Sequence, residues 1–211
     1  MASYSLVHFR SRVRVSVSYL YRIKVGSEYL LIRGRRFPQF QPVGGVYKIL
    51  PNSTSVLGKF QALDDDLVPV DPTSQHDLRL RIPFTRLVAF VRWFESGQDR
   101  EVGPWREFQE EMVATGILPV DMFPTVTTRF VVRTIRPLRY SNHADSHELL
   151  IADVFELVPT DEQKRFLAEL KKTGHHDVLW ATETQVRRRG AVPGQNQSVR
   201  IGEHAEWIID A

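Results

Sequence analysis

The chain has 211 residues, 42% hydrophobic and 25% charged, a globular composition long enough for one well-filled core or one domain carrying an insertion. A formal charge of +3 and a pI near 9.3 would serve a polyanionic ligand such as a nucleotide, yet fall short of a nucleic-acid-binding signature. Cysteine is absent, which excludes disulfides, thiolate metal centres and a cysteine nucleophile; no run reaches the roughly 18 apolar residues of a bilayer span and the start has no apolar signal core, so a soluble, cytoplasmic chain with no membrane segment is expected.

From Val13 to Val25 the odd positions read Val, Val, Val, Tyr, Tyr, Ile, Val and most even ones are Arg, Ser or Lys, which predicts a long strand with one apolar face. Gly26-Ser27 supplies a turn, and Glu28 to Arg33 reads as the return strand of a hairpin. Arg33, Gly34, Arg35 and Arg36 follow, a run that is either a solvated loop or a phosphate-holding one. Phe40 to Ile49 is expected to be a strand interrupted by Gly44-Gly45, where the backbone can bend or approach a ligand closely. Asn52 to Gln75 is turn-rich, and its Asp64-Asp65-Asp66 run reads as a solvated loop, because three adjacent side chains cannot all face one ion on regular structure.

Ile82 to Glu95 carries a helical apolar stripe (Phe84, Leu87, Val88, Val91, Phe94), with Trp93 and Phe94 expected in the core and Gly97 ending the helix. Gly103-Pro104 introduces a second helix. Strands are expected over Thr125 to Arg136 and Glu148 to Val158, separated by a solvated, histidine-containing loop from Ser141 to His147. Thr160 opens a helix to about Lys172 with Phe166, Leu167 and Leu170 inward, and Gly174 closes it. Val178 to Thr182 is a short strand, Arg187 to Gly190 and Pro193 to Gln197 read as flexible, and Glu203 to Ile209 as a short amphipathic helix.

The chemistry concentrates at Arg106-Glu107-Phe108-Gln109-Glu110-Glu111. Helical spacing puts Glu107, Glu110 and Glu111 on one side, and like charges so placed repel by roughly 0.2–0.5 kcal/mol per solvated pair. Acidic residues on a helix usually form a solvated face, but three together are easiest to understand if a divalent cation neutralises them, and hard oxygen donors suit Mg2+ or Mn2+.

This stretch resembles the Nudix box, G-x5-E-x7-R-E-U-x-E-E-x-G-U with U apolar, matching R-E-U-x-E-E at every position, and Pro42-Val43-Gly44-Gly45 looks like its opening glycine pair. Arg106 lies about sixty positions after Gly45 rather than about fourteen, so an insertion splits the box; no clear counterpart of the first glutamate is present, Lys48 stands where many members carry an acid, and Gly116 comes three residues late. The split box, the run Trp93 to Gly97 and the exit Thr115 to Pro119 resemble the Nudix domain associated with CD-NTase (SMODS) antiphage systems of bacteria.

The resemblance implies a single α/β domain over 1–211, a Nudix-like α/β/α sandwich with a mixed sheet and an insertion at about 50–100. It implies Mg2+ or Mn2+ held by Glu107, Glu110, Glu111 and the Gly44 carbonyl, with Glu110 and Glu111 catalytic and Arg106 orienting the helix by a salt bridge. Gly45, Lys48, Arg33 and Arg35 would meet the substrate, Lys48 facing phosphate or a carboxylate, and Asp177 or His176 could add a base. The expected activity is hydrolysis of a nucleoside diphosphate linked to another moiety. The alternative is a degenerate module that binds a nucleotide or cyclic oligonucleotide and signals to a partner, such as a component of a cyclic-oligonucleotide (CBASS) synthase system; a homodimer is compatible with either.

Overall fold

The computed structural model describes residues 11–35, 37–65, 67, 74–142, 144–191, 194 and 199–210. It is a mixed α/β fold, as expected. Contacts divide the chain into two compact units, each built from three stretches: residues up to Ser18, Val46–Gly103 and Ile135–Ala152 in the first, Tyr19–Gly45, Pro104–Thr134 and Asp153–Ala211 in the second.

In the first unit, strand β1 (Arg12–Arg22) begins with Val13, Val15 and Val17 fully buried. With β2 (Lys24–Val25), β3 (Glu28–Arg33), β4 (Phe40–Gln41), β5 (Gly44–Val46) and β6 (Leu63–Asp64) intervening in the chain, β1 pairs antiparallel with β7 (Arg79–Pro83), from Arg12 opposite Pro83 to Ser16 opposite Arg79. The even positions of β1 are not a solvent face. Arg14 is buried, its Nε 2.8 Å from Asp65 and its NH1 2.5 Å from Glu148. Asp65 also meets Arg81 at 3.6 Å, so two cations balance two carboxylates in the interior. The expectation of a solvated Asp64-Asp65-Asp66 loop is therefore corrected at Asp65, while Asp66 lies outside the described residues.

Two element boundaries also differ from expectation. At the start of the stretch expected to be turn-rich, Asn52 to Gln75, residues Pro51–Phe60 form a 3-10 helix with Val56 and Phe60 buried. The helix expected from Ile82 starts at Leu87, because Leu80 and Ile82 alternate inward as part of β7; it runs Leu87–Ser96 and ends at Gly97 with φ 71°. Phe90 and Phe94 are fully buried, Phe90 edge-on to Phe60 at 5.6 Å and Phe94 against Tyr47 at 5.3 Å. The predicted polar loop after Ser141 closes a hairpin between β9 (Arg139–Ser141) and β10 (Ser146–Val158), which follow β8 (Thr127–Ile135); His143 lies outside the described residues.

In the second unit β3 is central, with β2 and β4 as partners along one edge and β11 (Val178–Thr182) along the other. Its Tyr29, Leu30, Leu31 and Ile32 are all buried, so both faces are covered. The β2–β3 turn has Gly26 at φ 65° in its first central position, the arrangement of a two-residue hairpin that suits strand twist. The helix Asp161–Thr173 starts at Thr160, whose hydroxyl accepts the Gln163 N–H while the Gln163 side chain returns to the Thr160 N–H. Its Leu167 and Leu170 join Tyr21, Ile23, Leu30, Ile32, Val43, Phe108 and Met112 in one apolar cluster that holds the glutamate helix from beneath. The Pro193 to Gln197 expectation falls outside the described residues except at Gly194.

Candidate active site

The glutamate helix begins as an α-helix at Trp105–Phe108 and continues as a π-helical turn at Gln109–Val113. Phe108 and Met112, four apart, are both fully buried, which fixes which way the helix faces. The Ala114 N–H reaches back five residues to the Gln109 carbonyl at 2.8 Å, and Gly116 at φ 78° then reverses the chain into Ile117 and Leu118. This widened turn accompanies the late glycine, and π turns of this kind recur where a helix must aim side chains into a site.

The glycine pair meets this helix directly. The Gly44 N–H donates to Glu111 Oε2 at 2.9 Å. A Cβ on Gly45 would lie 2.0 Å from Glu107 Oε1, so only glycine leaves room for that carboxylate. Gly44 has φ 152°, and a Cβ there would sit 2.2 Å from the Tyr19 carbonyl oxygen. Both glycines are thus needed for a close approach, one to a carboxylate and one to β1.

Arg106 lies among the acids: its NH1 is 2.7 Å from Glu107 Oε1 and 3.6 Å from Glu110 Oε1, and its NH2 donates to the Tyr19 hydroxyl at 3.4 Å. Arg35 donates to the Glu110 main-chain carbonyl at 3.0 Å. Three carboxylates therefore face two guanidinium groups. The imbalance falls on Glu111, whose pKa rises from 4.5 to about 8, mainly through burial and further through Glu107 and Glu110, against the lowering influence of the Gly44 N–H and Arg35.

A cavity of about 170 Å³ opens beside Glu111, lined by Ile32, Arg33, Gly34, Arg35, Thr115, Ile117 and Asp177. Arg33 is held in place by Asp177 at 3.2 Å, by the His176 carbonyl at 3.2 Å and by the Phe40 ring 4.9 Å beneath it. Of the residues expected to form a site, the structure thus brings together Gly44, Gly45, Arg33, Arg35, Arg106, Glu107, Glu110 and Glu111, with Asp177 at the cavity wall. Lys48 belongs to the first unit, where its ammonium meets a carboxylate, Asp77, at 3.2 Å and the Gln75 carbonyl at 2.8 Å. Arg36 lies outside the described residues.

The first unit has a larger cavity of about 350 Å³, lined among others by Asp64, Asp65, Asp77 and Arg79. Size does not make it the better candidate, because Asp65 and Asp77 are already paired with Arg14, Arg81, Lys48 and Arg79. Tyr19, Thr115 and Ile117 also reach the site, though no local pattern marks them as site residues. Alternation puts Tyr19 inside β1, but only the fold brings its hydroxyl to Arg106, 87 positions away.

A divalent cation fits the chemistry of the ridge. Three hard oxygen donors lie within five residues, and Glu111 is a partly buried acid that its present neighbours do not fully neutralise. Among the described residues, the trio of His, Asp or Glu ligand atoms that all lie within 4.8 Å of one another is instead His175, His176 and Asp177. The glutamates are held apart by different partners, Glu107 by Arg106 and Glu111 by the Gly44 N–H. Among the described residues, no helix is long and apolar enough to cross a membrane.

Comparison with known proteins matches residues 12–209 to the family model of the SMODS-associated NUDIX domain. No curated protein matches the chain.

Proposed function

Because the chain belongs to the SMODS-associated NUDIX domain family, we propose that its second unit is a cation-dependent hydrolase module for a nucleoside diphosphate linked to another moiety, working in a bacterial antiphage cyclic-oligonucleotide system. Nudix domains generally use divalent metals. Glu107, Glu110 and Glu111 would hold the ion, Mg2+ or Mn2+, through carboxylate oxygens. When bound, it would offset charge on the diphosphate and acidify a water molecule.

The chain's own residues divide the remaining work. Arg106 steadies Glu107 and Glu110, and the Gly44 N–H fixes the rotamer of Glu111. Arg33 and Arg35, on the wall of the Glu111 cavity, are suited to phosphate oxygens; a guanidinium fork braced by Asp177 and Phe40 loses little freedom on binding. Glu110 or Glu111 would take the proton from the attacking water. The observation that carries this reading is the direct seating of the Gly44-Gly45 turn on Glu111 and Glu107, which joins the two halves of a split motif into one ridge beside an arginine-lined cavity.

A second reading, a nucleotide-sensing module without turnover, is favoured by two features: Arg106 already pairs with both Glu107 and Glu110, at 2.7 and 3.6 Å, and the box's first glutamate has no clear counterpart. A panel of dinucleotides, NAD, ADP-ribose and cyclic oligonucleotides, each with Mg2+ and with chelator, separates the two. Cation-dependent product that disappears in Glu111→Gln, with circular dichroism showing the variant folded, supports the hydrolase. Stabilisation that follows RT ln(1 + [L]/Kd) without product supports the sensor, and if neither result is seen both readings fall.

A further inference from the structure

We propose that His175, His176 and Asp177 form a second metal site, distinct in chemistry from the glutamate ridge and suited to an imidazole-preferring divalent ion of the zinc class. One ligand atom from each of the three residues lies within 4.8 Å of the other two. His176 Nε2 and Asp177 Oδ2 are 2.9 Å apart, close to the roughly 3–3.5 Å between neighbouring donors around a tetrahedral ion with bonds of about 2.0–2.1 Å. The two imidazole rings are adjacent, stacked at 4.5 Å with 25° between their planes, and one must turn for both to present a nitrogen to a single ion.

The backbone that carries the three ligands is already set. The Val178 N–H closes a turn onto the His175 carbonyl at 3.0 Å, and the Arg33 N–H ties the Asp177 carbonyl to β3 at 2.9 Å. Asp177 divides its oxygens: Oδ1 accepts from Arg33 Nε at 3.2 Å, which orients the carboxylate, and Oδ2 faces His176. An ion would displace two contacts, His176 Nε2 to Asp177 Oδ2 at 2.9 Å and, on binding through Nδ1 of His175, the Asp177 N–H to that nitrogen at 3.2 Å. His176 is 81% exposed, so an ion has an open path. Asp177 attracts a cation, and Arg33, bound to its Oδ1, opposes one.

Two nitrogens and one oxygen select differently from three carboxylates: borderline ions such as Zn2+ prefer imidazole, whereas Mg2+ stays with oxygen. Because Asp177 braces Arg33 and lines the Glu111 cavity, an ion here would draw on the same carboxylate.

The test is calorimetric titration of ZnCl2 into the full chain in excess Mg2+. One Zn2+ per chain is expected, with affinity reduced at least tenfold in the double variant His175→Ala/His176→Ala and unchanged in Glu111→Gln, while circular dichroism verifies that both variants are folded. Absence of zinc binding, retained affinity in the double histidine variant, or loss of affinity in Glu111→Gln would each overturn the site. Since hydrolysis is not the readout, failure here is distinguishable from failure of the proposed activity.

Discussion

Gly45 and Glu107 occupy space that would otherwise be shared: a methyl group at Gly45 would fall 2.0 Å from Oε1 of that carboxylate, although the two residues are far apart in sequence. Gly45→Ala can relieve the clash by swinging a flexible side chain, so the fold should lose little, but Glu107 would leave the ridge. Cation affinity is expected to drop about tenfold or more, in line with a displaced ligand shell. Gly44→Ala should behave differently, since its Cβ would meet the Tyr19 backbone at 2.2 Å with φ at 152°. There the cost should be stability, roughly 1–3 kcal/mol as for an overpacked interior. Calorimetric cation binding and urea melts on both variants check the contrast, and equal stability loss in the two would refute it.

Arg14 is the second case. Replacing it by alanine leaves Asp65 without its closest partner and Glu148 without its 2.5 Å bridge, both in the interior. Breaking a buried pair in this way costs about 3–5 kcal/mol, whereas a leucine pattern replacing all three groups would cost far less. Denaturant unfolding of Arg14→Ala against Arg14→Ala/Asp65→Asn/Glu148→Gln tests it; the triple variant should recover part of the loss, and a single variant within about 1 kcal/mol of wild type would contradict the assignment.

These two residues mark what the sequence could carry. The hairpin at Gly26, the capped helix after Thr160 and the strand at Val178–Thr182 rest on local rules of period, turn and cap, and are found where those rules put them. Arg14 obeys the same alternation rule, but its burial is not legible from it, because the residues that neutralise it lie 51 and 134 positions away. The acidic motif was legible as a pattern of charges, yet its π-helical turn and the Glu111 bond to Gly44 come from long-range packing. Arg33 shows the same limit, since its brace, Asp177, is 144 positions distant.

Thr160 offers a local control. Its hydroxyl accepts the Gln163 N–H, so Thr160→Ala should cost about 1 kcal/mol, the usual value of an N-cap. Gln163→Ala should cost more, because the buried Gln163 amide also donates to the Met122 carbonyl at 3.0 Å and its loss strands that acceptor. Chemical denaturation of the two variants gives the order directly; a larger loss at Thr160 would reverse the argument.

Glu111 makes the acidic ridge pH-dependent, and the sign follows from its raised pKa. The unfolded carboxyl titrates near 4.5 and the folded one near 8, chiefly because burial disfavours its charge, so between those values the folded chain holds a proton that the unfolded chain has released. Its stabilising contribution is complete below pH 4.5 and is lost as pH rises through about 8. At about 1.4 kcal/mol per unit the loss across that window is on the order of 4–5 kcal/mol in the cation-free protein, and Glu111→Gln should flatten the slope. Cation binding needs the carboxylate form, so below pH 8 each ion should displace close to one proton and affinity should rise with pH. Calorimetry in buffers of different ionisation enthalpy counts that proton. An unchanged stability slope in Glu111→Gln would assign the titration to another group, and no proton release would mean that the ion binds without Glu111.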